Sequence, residues 1–399
     1  ILPLAGFLMM HGSWSPGCDT RLYAYPFSAS ELGMFGWRYV LYGVTFAITY
    51  LLIRRHAAVR TTAFSMPSPS TKAAILLVFA GLYIGKTLLK VVYHYDPDDP
   101  AVYTNAAQVA AEALARPLLI GQIGHNIHSA FLLSEFGVLI LLTAYWRKRW
   151  CRYLLIAWLG SMAVRTAVQL GSRSVTVLLL LSAGVLYHRL VKPVSVRVAA
   201  VGGAALLSAF LVAGALRGNY ESGVAEGPRV LMAANEFQGL FTTALDLHKR
   251  KQSGELGPVP WQVYVSDFYF PVPSQFLPFQ KIDPGAWYID VIGQTGAGIG
   301  YMFGVMSQAA IGLDWIEVAF RGAILAACLA LMHRWYVRHA LGFWPTLFYL
   351  FVSVWIYYTM RASTFYFLYN IVYQFLPLMV LTRLVDVLLR RIHRKREAI

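Results

Sequence analysis

The sequence predicts an all-α, polytopic integral membrane protein of about ten transmembrane helices, with one large extracytoplasmic segment that carries amphipathic helices. Three observations predict it. Of 399 residues, 58% are hydrophobic and 13% charged, with a mean hydropathy of +0.54, whereas charged residues make up about 25% of a soluble domain. Apolar runs near the length of about 20 residues that crosses a bilayer recur along the chain. Basic residues gather between alternate runs. This composition argues against a soluble enzyme. The net charge of +15, from 34 Lys+Arg against 19 Asp+Glu, would suggest nucleic acid or an acidic partner in a soluble protein; in a membrane protein it first sets sidedness, and no nucleic acid is expected. Cys18, Cys151 and Cys328 lie in unrelated contexts, so neither a disulfide framework nor a zinc site is indicated.

Taken in order, Ile1 to Met10 are apolar but too short to span and read as the tail of a truncated first helix. The complete runs follow at about 35–53, 73–92, 129–146, 153–170, 175–187, 198–216, 316–332, 341–360 and 365–388. Arg54, Arg55 and Arg60 follow the first of them; Arg147, Lys148, Arg149 and Arg152 separate the third and fourth; Arg189, Lys192 and Arg197 follow the fifth. Arg334 and Arg338 follow the seventh, and Arg390, Arg391, Arg394, Lys395 and Arg396 lie near the C-terminus. If each run crosses once, all these clusters share one face, which the positive-inside rule makes cytoplasmic. Three regions result: a transmembrane bundle over 1–216, a large extracytoplasmic region over 217–315, and transmembrane helices with a basic tail over 316–399. Within the middle region, the spacing of Leu231, Phe237, Leu240, Phe241, Leu245 and Leu247 predicts one or two helices at the membrane interface. The Gly- and Met-rich stretch 293–312 is read as re-entrant or surface-lying, because a span there would move Arg334 and Arg338 outside.

Five arginines sit where hydrocarbon disfavours them. An arginine at membrane depth costs about 2.5–3.5 kcal/mol on insertion scales. Arg165 lies within a run, Arg173 in Gly171-Ser-Arg-Ser174, Arg217 at the start of the large segment, Arg321 in Phe320-Arg-Gly322 and Arg361 in Met360-Arg-Ala-Ser363. Any one alone reads equally well as a snorkelling side chain or a carboxylate's partner. Together at one membrane face they suit a diphosphate, since the guanidinium fork bonds two oxygens and keeps its charge. Lys281 is a further phosphate contact. Among the acids, Glu236 lies on an apolar helical stretch where burial would raise its pKa toward that of a useful base, although a helix-surface role fits it too. Asp283, before Pro284, reads as a turn former. Tyr269 reads as a sugar-stacking face or an interfacial anchor; Tyr269, Asp267 and Asp283 are the acceptor-binding candidates. Asp96-Pro-Asp-Asp-Pro100 reads as a solvated turn more readily than as a metal patch, and the pair His125 and His128 lacks a matching carboxylate motif, so no metal site is assigned.

The set Gly171-Ser-Arg173, Arg217, Glu236, Phe270 to Pro278, Phe320-Arg-Gly322 and Arg361-Ala-Ser363 resembles the pattern of the Wzy-like O-antigen and oligosaccharide repeat-unit polymerases over roughly 170–388. At position 321 the family more usually has a smaller polar residue. The resemblance implies a GT-C-type glycosyltransferase at the periplasmic face of the bacterial inner membrane. It would move a growing glycan from undecaprenyl diphosphate to the next lipid-linked repeat unit, without a metal or other cofactor, with membrane lipids and a separate chain-length regulator as further partners. Arg173, Arg217 and Arg361 would hold the diphosphate, with Lys281, Arg321 and Arg165 as additional contacts, and Glu236 would take the acceptor proton. Two other readings stay open: an O-antigen ligase, which would be expected to use a histidine of the large loop, where only His248 is found; and a lipid-linked oligosaccharide transporter, for which Lys86 and Lys90 would be the unexplained polar residues.

Overall fold

The computed structural model describes residues 29–54, 64–93, 118–169, 173–205, 208, 236–292, 303–338, 342–356 and 363–397. Among these the secondary structure is helical, and the only strand-like feature is a single bridge between Ser65 and Gly342. The long helices are α1 (Ala29–Arg54), α2 (Pro69–Tyr93), α3 (Leu118–Ala144), α4 (Arg149–Gln169) and α5 (Arg173–Leu186), which runs into a wide turn at Tyr187–Val191. After α6 (Val196–Ala205) come α7 (Glu236–Ser253), the short α8 (Trp261–Tyr264) and α9 (Ser266–Tyr269), α10 (Pro284–Val291) and α11 (Val305–Ile311). The chain closes with α12 (Trp315–Arg338), α13 (Phe343–Trp355), α14 (Tyr366–Asn370) and α15 (Leu376–Glu397), the last two joined through a π-helical turn at Ile371–Phe375.

Among the described residues, four stretches are long and apolar enough to cross a membrane: Ser30–Arg54, Pro69–Val91, Trp315–Arg338 and Tyr366–His393. Shorter apolar helices occupy Ala130–Ala144, Leu178–Val191, Val196–Ala205 and Phe343–Ser353. The outward face of α1 shows why water is the wrong solvent for this surface. Trp37, Val40, Val44, Ile48 and Leu51 are all exposed at helical spacing, a continuous apolar stripe that hydrocarbon solvates without cost. Local chemistry sets the starts: Pro69 opens α2 and the Ser68 hydroxyl accepts the Thr71 N–H at 3.2 Å, while Asp283 caps α10 by accepting the Ala286 N–H at 2.8 Å, with Pro284 next.

The chain forms two compact units that cut across the sequence divisions at 216 and 315. The first comprises Ile1–Ala58, Leu211–Trp335 and Trp355–Tyr369; the second Val59–Phe210, Tyr336–Val354 and Asn370–Ile399. The second unit is a helix bundle with Leu133, Leu139, Ile140, Leu179, Leu347 and Phe351 buried at its centre. Near the start of α2, Asp386 of α15 accepts from the Thr71 hydroxyl at 3.2 Å and from Arg390 at 2.6 Å, so a buried carboxylate there is paired.

In the first unit α1 packs with α7. Phe241 stacks on Tyr39 at 5.4 Å and meets Phe35 edge-on at 5.4 Å. Every residue from Leu240 to Leu247 is buried. This corrects the expected interfacial helix: α7 is enclosed by protein on all sides over this stretch, because its polar face (Thr242, Thr243, Asp246) is also covered. Asp246 accepts from Arg250 and from the Tyr288 hydroxyl, both at 2.8 Å, which ties α7 to α10. Around them Leu247, Leu256, Val263, Tyr288, Phe303, Ala310 and Ile311 make one apolar core. The described part of the 293–312 stretch is α11 with its flanking residues, and all seven residues of α11 are buried.

Candidate functional site

The polar centre of the first unit begins with α11. Val305 to Ile311 carries no charge and is buried throughout, so its one amide side chain, Gln308, must find partners inside the protein. It finds four. The Gln308 Oε1 accepts from the Arg321 Nη1 at 2.8 Å, from the Thr364 N–H at 3.1 Å and from the Thr364 hydroxyl at 3.0 Å, while its Nε2 donates to Asp267 Oδ2 at 3.4 Å. Arg321 also donates to the Thr364 hydroxyl at 2.6 Å, and its Nε and Nη2 reach Glu317 Oε1 at 2.7 and 2.5 Å. Glu317 lies four residues earlier on α12, the spacing at which opposite charges meet on a helix. Its other oxygen accepts the Leu313 N–H at 2.8 Å.

This network brings together segments that are far apart in sequence. Phe320-Arg-Gly322 supplies Arg321. Thr364 follows Arg361-Ala-Ser363 directly. Asp267 opens Asp267-Phe-Tyr-Phe270, and Phe268 packs on Phe365 with ring centroids 5.6 Å apart. Asp267 is buried, with Oδ1 unpartnered. Burial pushes its carboxyl up to about 6, against the pull of Arg321, the Gln308 amide and the Phe365 backbone. A carboxyl poised near neutrality beside an arginine can accept or release a proton at physiological pH.

A cleft of about 480 Å³ opens beside the network, lined by Lys251, Leu256, Val259, Tyr264, Leu313 and Glu317 among others. Lys251 donates to the carbonyls of Ile311 at 3.0 Å and of Gly312, and the Tyr264 hydroxyl to that of Ile311. The end of α11 is thus held by two donors from separate elements.

A second polar cluster lies near the start of α1. Arg38, buried, bonds both oxygens of Asp314 at 2.5 and 2.6 Å, and its guanidinium lies over the rings of Trp315 at 4.4 Å and Phe35 at 4.9 Å. Asp314 sits at φ 54°, the left-handed region that Asp tolerates better than most residues, and so turns the chain from α11 into α12. The Arg38 Nη2 is 3.2 Å from His248 Nε2. Arginine can only donate, so His248 accepts there, neutral, with its proton on Nδ1. Burial and Arg38 hold the His248 pKa below its usual value, Asp314 opposing them and Lys251 adding to the depression. The sequence reading omitted Arg38, although a place within or beside an apolar run was the signal that picked out the other five. It also missed Gln308, the lone amide of an apolar stretch, and Glu317 as the partner of Arg321.

The remaining site candidates are placed as follows. Lys281 donates to the Phe270 carbonyl at 2.9 Å and lies 5.7 Å from the Phe270 ring, with burial lowering its pKa. Tyr269 is buried; its hydroxyl donates to the Ile282 carbonyl at 2.8 Å and its ring stacks on Phe270. Asp283 is a helix cap at the surface. Arg173 is the first residue of α5, Arg165 lies in α4 and Glu236 begins α7; their side chains lie outside the described residues, as do Arg217 and Arg361 altogether. Asp96 to Pro100 and the side chains of His125 and His128 also lie outside them. Among the described residues no group of three His, Cys, Asp or Glu could hold a metal ion. Lys86 lies over the Phe131 ring at 5.2 Å, an interaction that accounts for its tolerance in an apolar helix. No protein-family model, no curated protein and no solved structure matches this chain.

Proposed function

We propose that this chain is a membrane glycosyltransferase that polymerises lipid-linked oligosaccharide repeat units, with about ten spans in the bacterial inner membrane and its site at the periplasmic face. The observation that carries the reading is the network of Asp267, Gln308, Arg321 and Thr364. It joins Arg321 of Phe320-Arg-Gly322 to Thr364, the residue after Arg361-Ala-Ser363, and to Asp267, three residues before the Phe270 to Pro278 stretch, at the end of an apolar helix long enough to cross a membrane. In the reaction, the acceptor hydroxyl oxygen attacks the anomeric carbon of the donor glycan, the bond from that carbon to the diphosphate breaks, and the carrier leaves with the electron pair. Arginines fixed in a low-dielectric setting stabilise the charge that develops on the leaving group. Arg173, Arg217 and Arg361 take this role. Arg321 is engaged within the protein by Glu317, Gln308 and Thr364, so it positions the chain entering Thr364, three residues after Arg361, rather than meeting the carrier. Lys281 is likewise bonded to the Phe270 carbonyl.

Glu236 takes the acceptor proton. Asp267 is buried and bonded to Gln308, so it positions the segment that follows it rather than meeting the acceptor hydroxyl. The ligase alternative asks for a free histidine in the large segment, and His248 is bonded to Arg38 instead. The test is complementation of a polymerase-deletion strain. Arg173→Ala, Arg217→Ala, Arg361→Ala, Glu236→Gln and Asp267→Asn should each shorten the glycan ladder at wild-type expression. Full-length ladders from all five would sink the assignment. Purified protein incubated with lipid-linked repeat units should extend them in excess chelator; a transporter would yield no longer product.

A further inference from the structure

We propose that the aromatic surface formed by α8, α9 and the 3₁₀ turn Ser274–Phe276 is seated in a lipid bilayer at the headgroup–acyl boundary. Trp261, Val265 and Phe268 recur at the i, i+4, i+7 spacing that lines one face of a helical path, and Phe276 follows in the 3₁₀ turn. Their exposures are 53%, 37%, 61% and 72%. The opposite side of the same path is buried: Val263, Ser266, Asp267 and Tyr269 point into the protein. From Pro258 to Gln280 the sequence carries a single formal charge, Asp267, and that residue is enclosed. A water-facing segment of this length ordinarily carries several charges. Here the outer face offers Trp, Phe, Pro, Ser and Gln, the composition that settles where one side is apolar and the other wet.

The location of the path supplies the occupant. Phe268 packs on Phe365, the residue before the apolar stretch Tyr366–His393. Asp267 is bonded through Gln308 to Arg321, in the second turn of the apolar stretch Trp315–Arg338. The surface is therefore fixed at the ends of two helices long enough to cross a membrane, the level at which a bilayer changes from hydrocarbon to headgroup. Leu313 and, in the first turns of α12, Trp315, Ile316 and Phe320 continue the apolar exposure. Burying three large aromatic side chains at that boundary anchors the segment that carries Asp267 against the segments that carry Arg321 and Thr364.

The experiment uses the full chain in nanodiscs of phosphatidylcholine and phosphatidylglycerol, with Cys18, Cys151 and Cys328 replaced by alanine. Single cysteines at Val265, Phe268 and Phe276, and a control at Gln252, are labelled with an environment-sensitive fluorophore. Labels at the three surface positions should emit to the blue of the control and be quenched several-fold more strongly by lipids spin-labelled near the headgroup than by lipids labelled at the chain end. Equal iodide quenching at all four positions would overturn the proposal. So would blue emission that depends on protein density and ignores the lipid quenchers, which would assign the surface to a second copy of the chain. Wild-type protein gives an independent reading without substitutions: a photoactivatable lipid carrying its diazirine near the headgroup should form adducts on the peptide 258–280, and a peptide without adducts would refute the bilayer as occupant.

Discussion

Arg321 and Glu317 form a pair whose two halves are worth more together than apart. Each is largely buried, with side-chain exposures of 12% and 13%, and removing one partner leaves the other an uncompensated charge at a cost of about 3–5 kcal/mol. Arg321→Ala should therefore lower the thermal unfolding midpoint in detergent markedly, whereas the combined Arg321→Gln and Glu317→Gln change should recover much of the loss. If the double variant were as unstable as the sum of its parts, the pair would not be coupled. Asp267 supplies a prediction with a pH axis. Its folded pKa of about 6 lies above the ordinary 3.8, so the folded chain retains a proton that the unfolded chain releases between those values. Stability contributed by the neutral acid is thus lost as pH rises through this window and stays lost above it. Asp267→Asn should match the wild type at pH 4 and exceed it at pH 8 by up to about 3 kcal/mol, read as unfolding midpoints in a pH series. A constant difference across that series would mean that the carboxyl titrates normally.

At the scale of elements, the contact between α1 and α12 turns on one missing side chain. A Cβ at Gly322 would stand 2.6 Å from the Thr45 hydroxyl and 2.9 Å from the Tyr42 carbonyl. The hydroxyl can rotate, but the carbonyl belongs to the backbone of α1 and cannot yield without moving the helix. Small residues that let apolar helices approach are a recurrent packing device in membranes. Gly322→Ala should cost about 1–3 kcal/mol by overpacking and slide Arg321 away from Gln308; Gly322→Ala with Thr45→Ala should recover only the part due to the hydroxyl. Unfolding midpoints of the single and double variants in detergent would show the split. Much of this layer was legible in advance. The apolar runs at 35–53, 73–92, 316–332 and 365–388 appear as long helices, because hydrophobic length is a property of sequence alone. What escaped was the environment of α7. Its apolar residues at helical spacing predict one covered face, but whether the other face meets water or protein depends on α1 and α10, and the partnering of Asp246 with Tyr288 across 42 positions leaves no local trace.

The whole molecule groups residues in a way that chain order conceals. The first unit takes α1 from one end of the sequence, the 236–311 stretch from its middle and Thr364 from near the other end. Motif reading found Phe320-Arg-Gly322 and Arg361-Ala-Ser363 as separate signals. That Arg321 of the first meets Thr364, the residue after the second, through Gln308 was not readable, since Gln308 belongs to no motif and its only sequence mark is polarity in an apolar stretch. The same holds for Arg38, whose partners Asp314 and His248 lie 276 and 210 residues away in sequence.

The burial of Phe241 against Phe35 and Tyr39 has a practical consequence for anyone who would prepare the 217–315 stretch as a freestanding reagent, for immunisation or for ligand screening. Excision would strip α7 of the rings that cover it and leave His248 without Arg38. Such a fragment should precipitate or unfold on expression, whereas a fusion that retains α1 ahead of it, supplied with detergent, keeps its native covering.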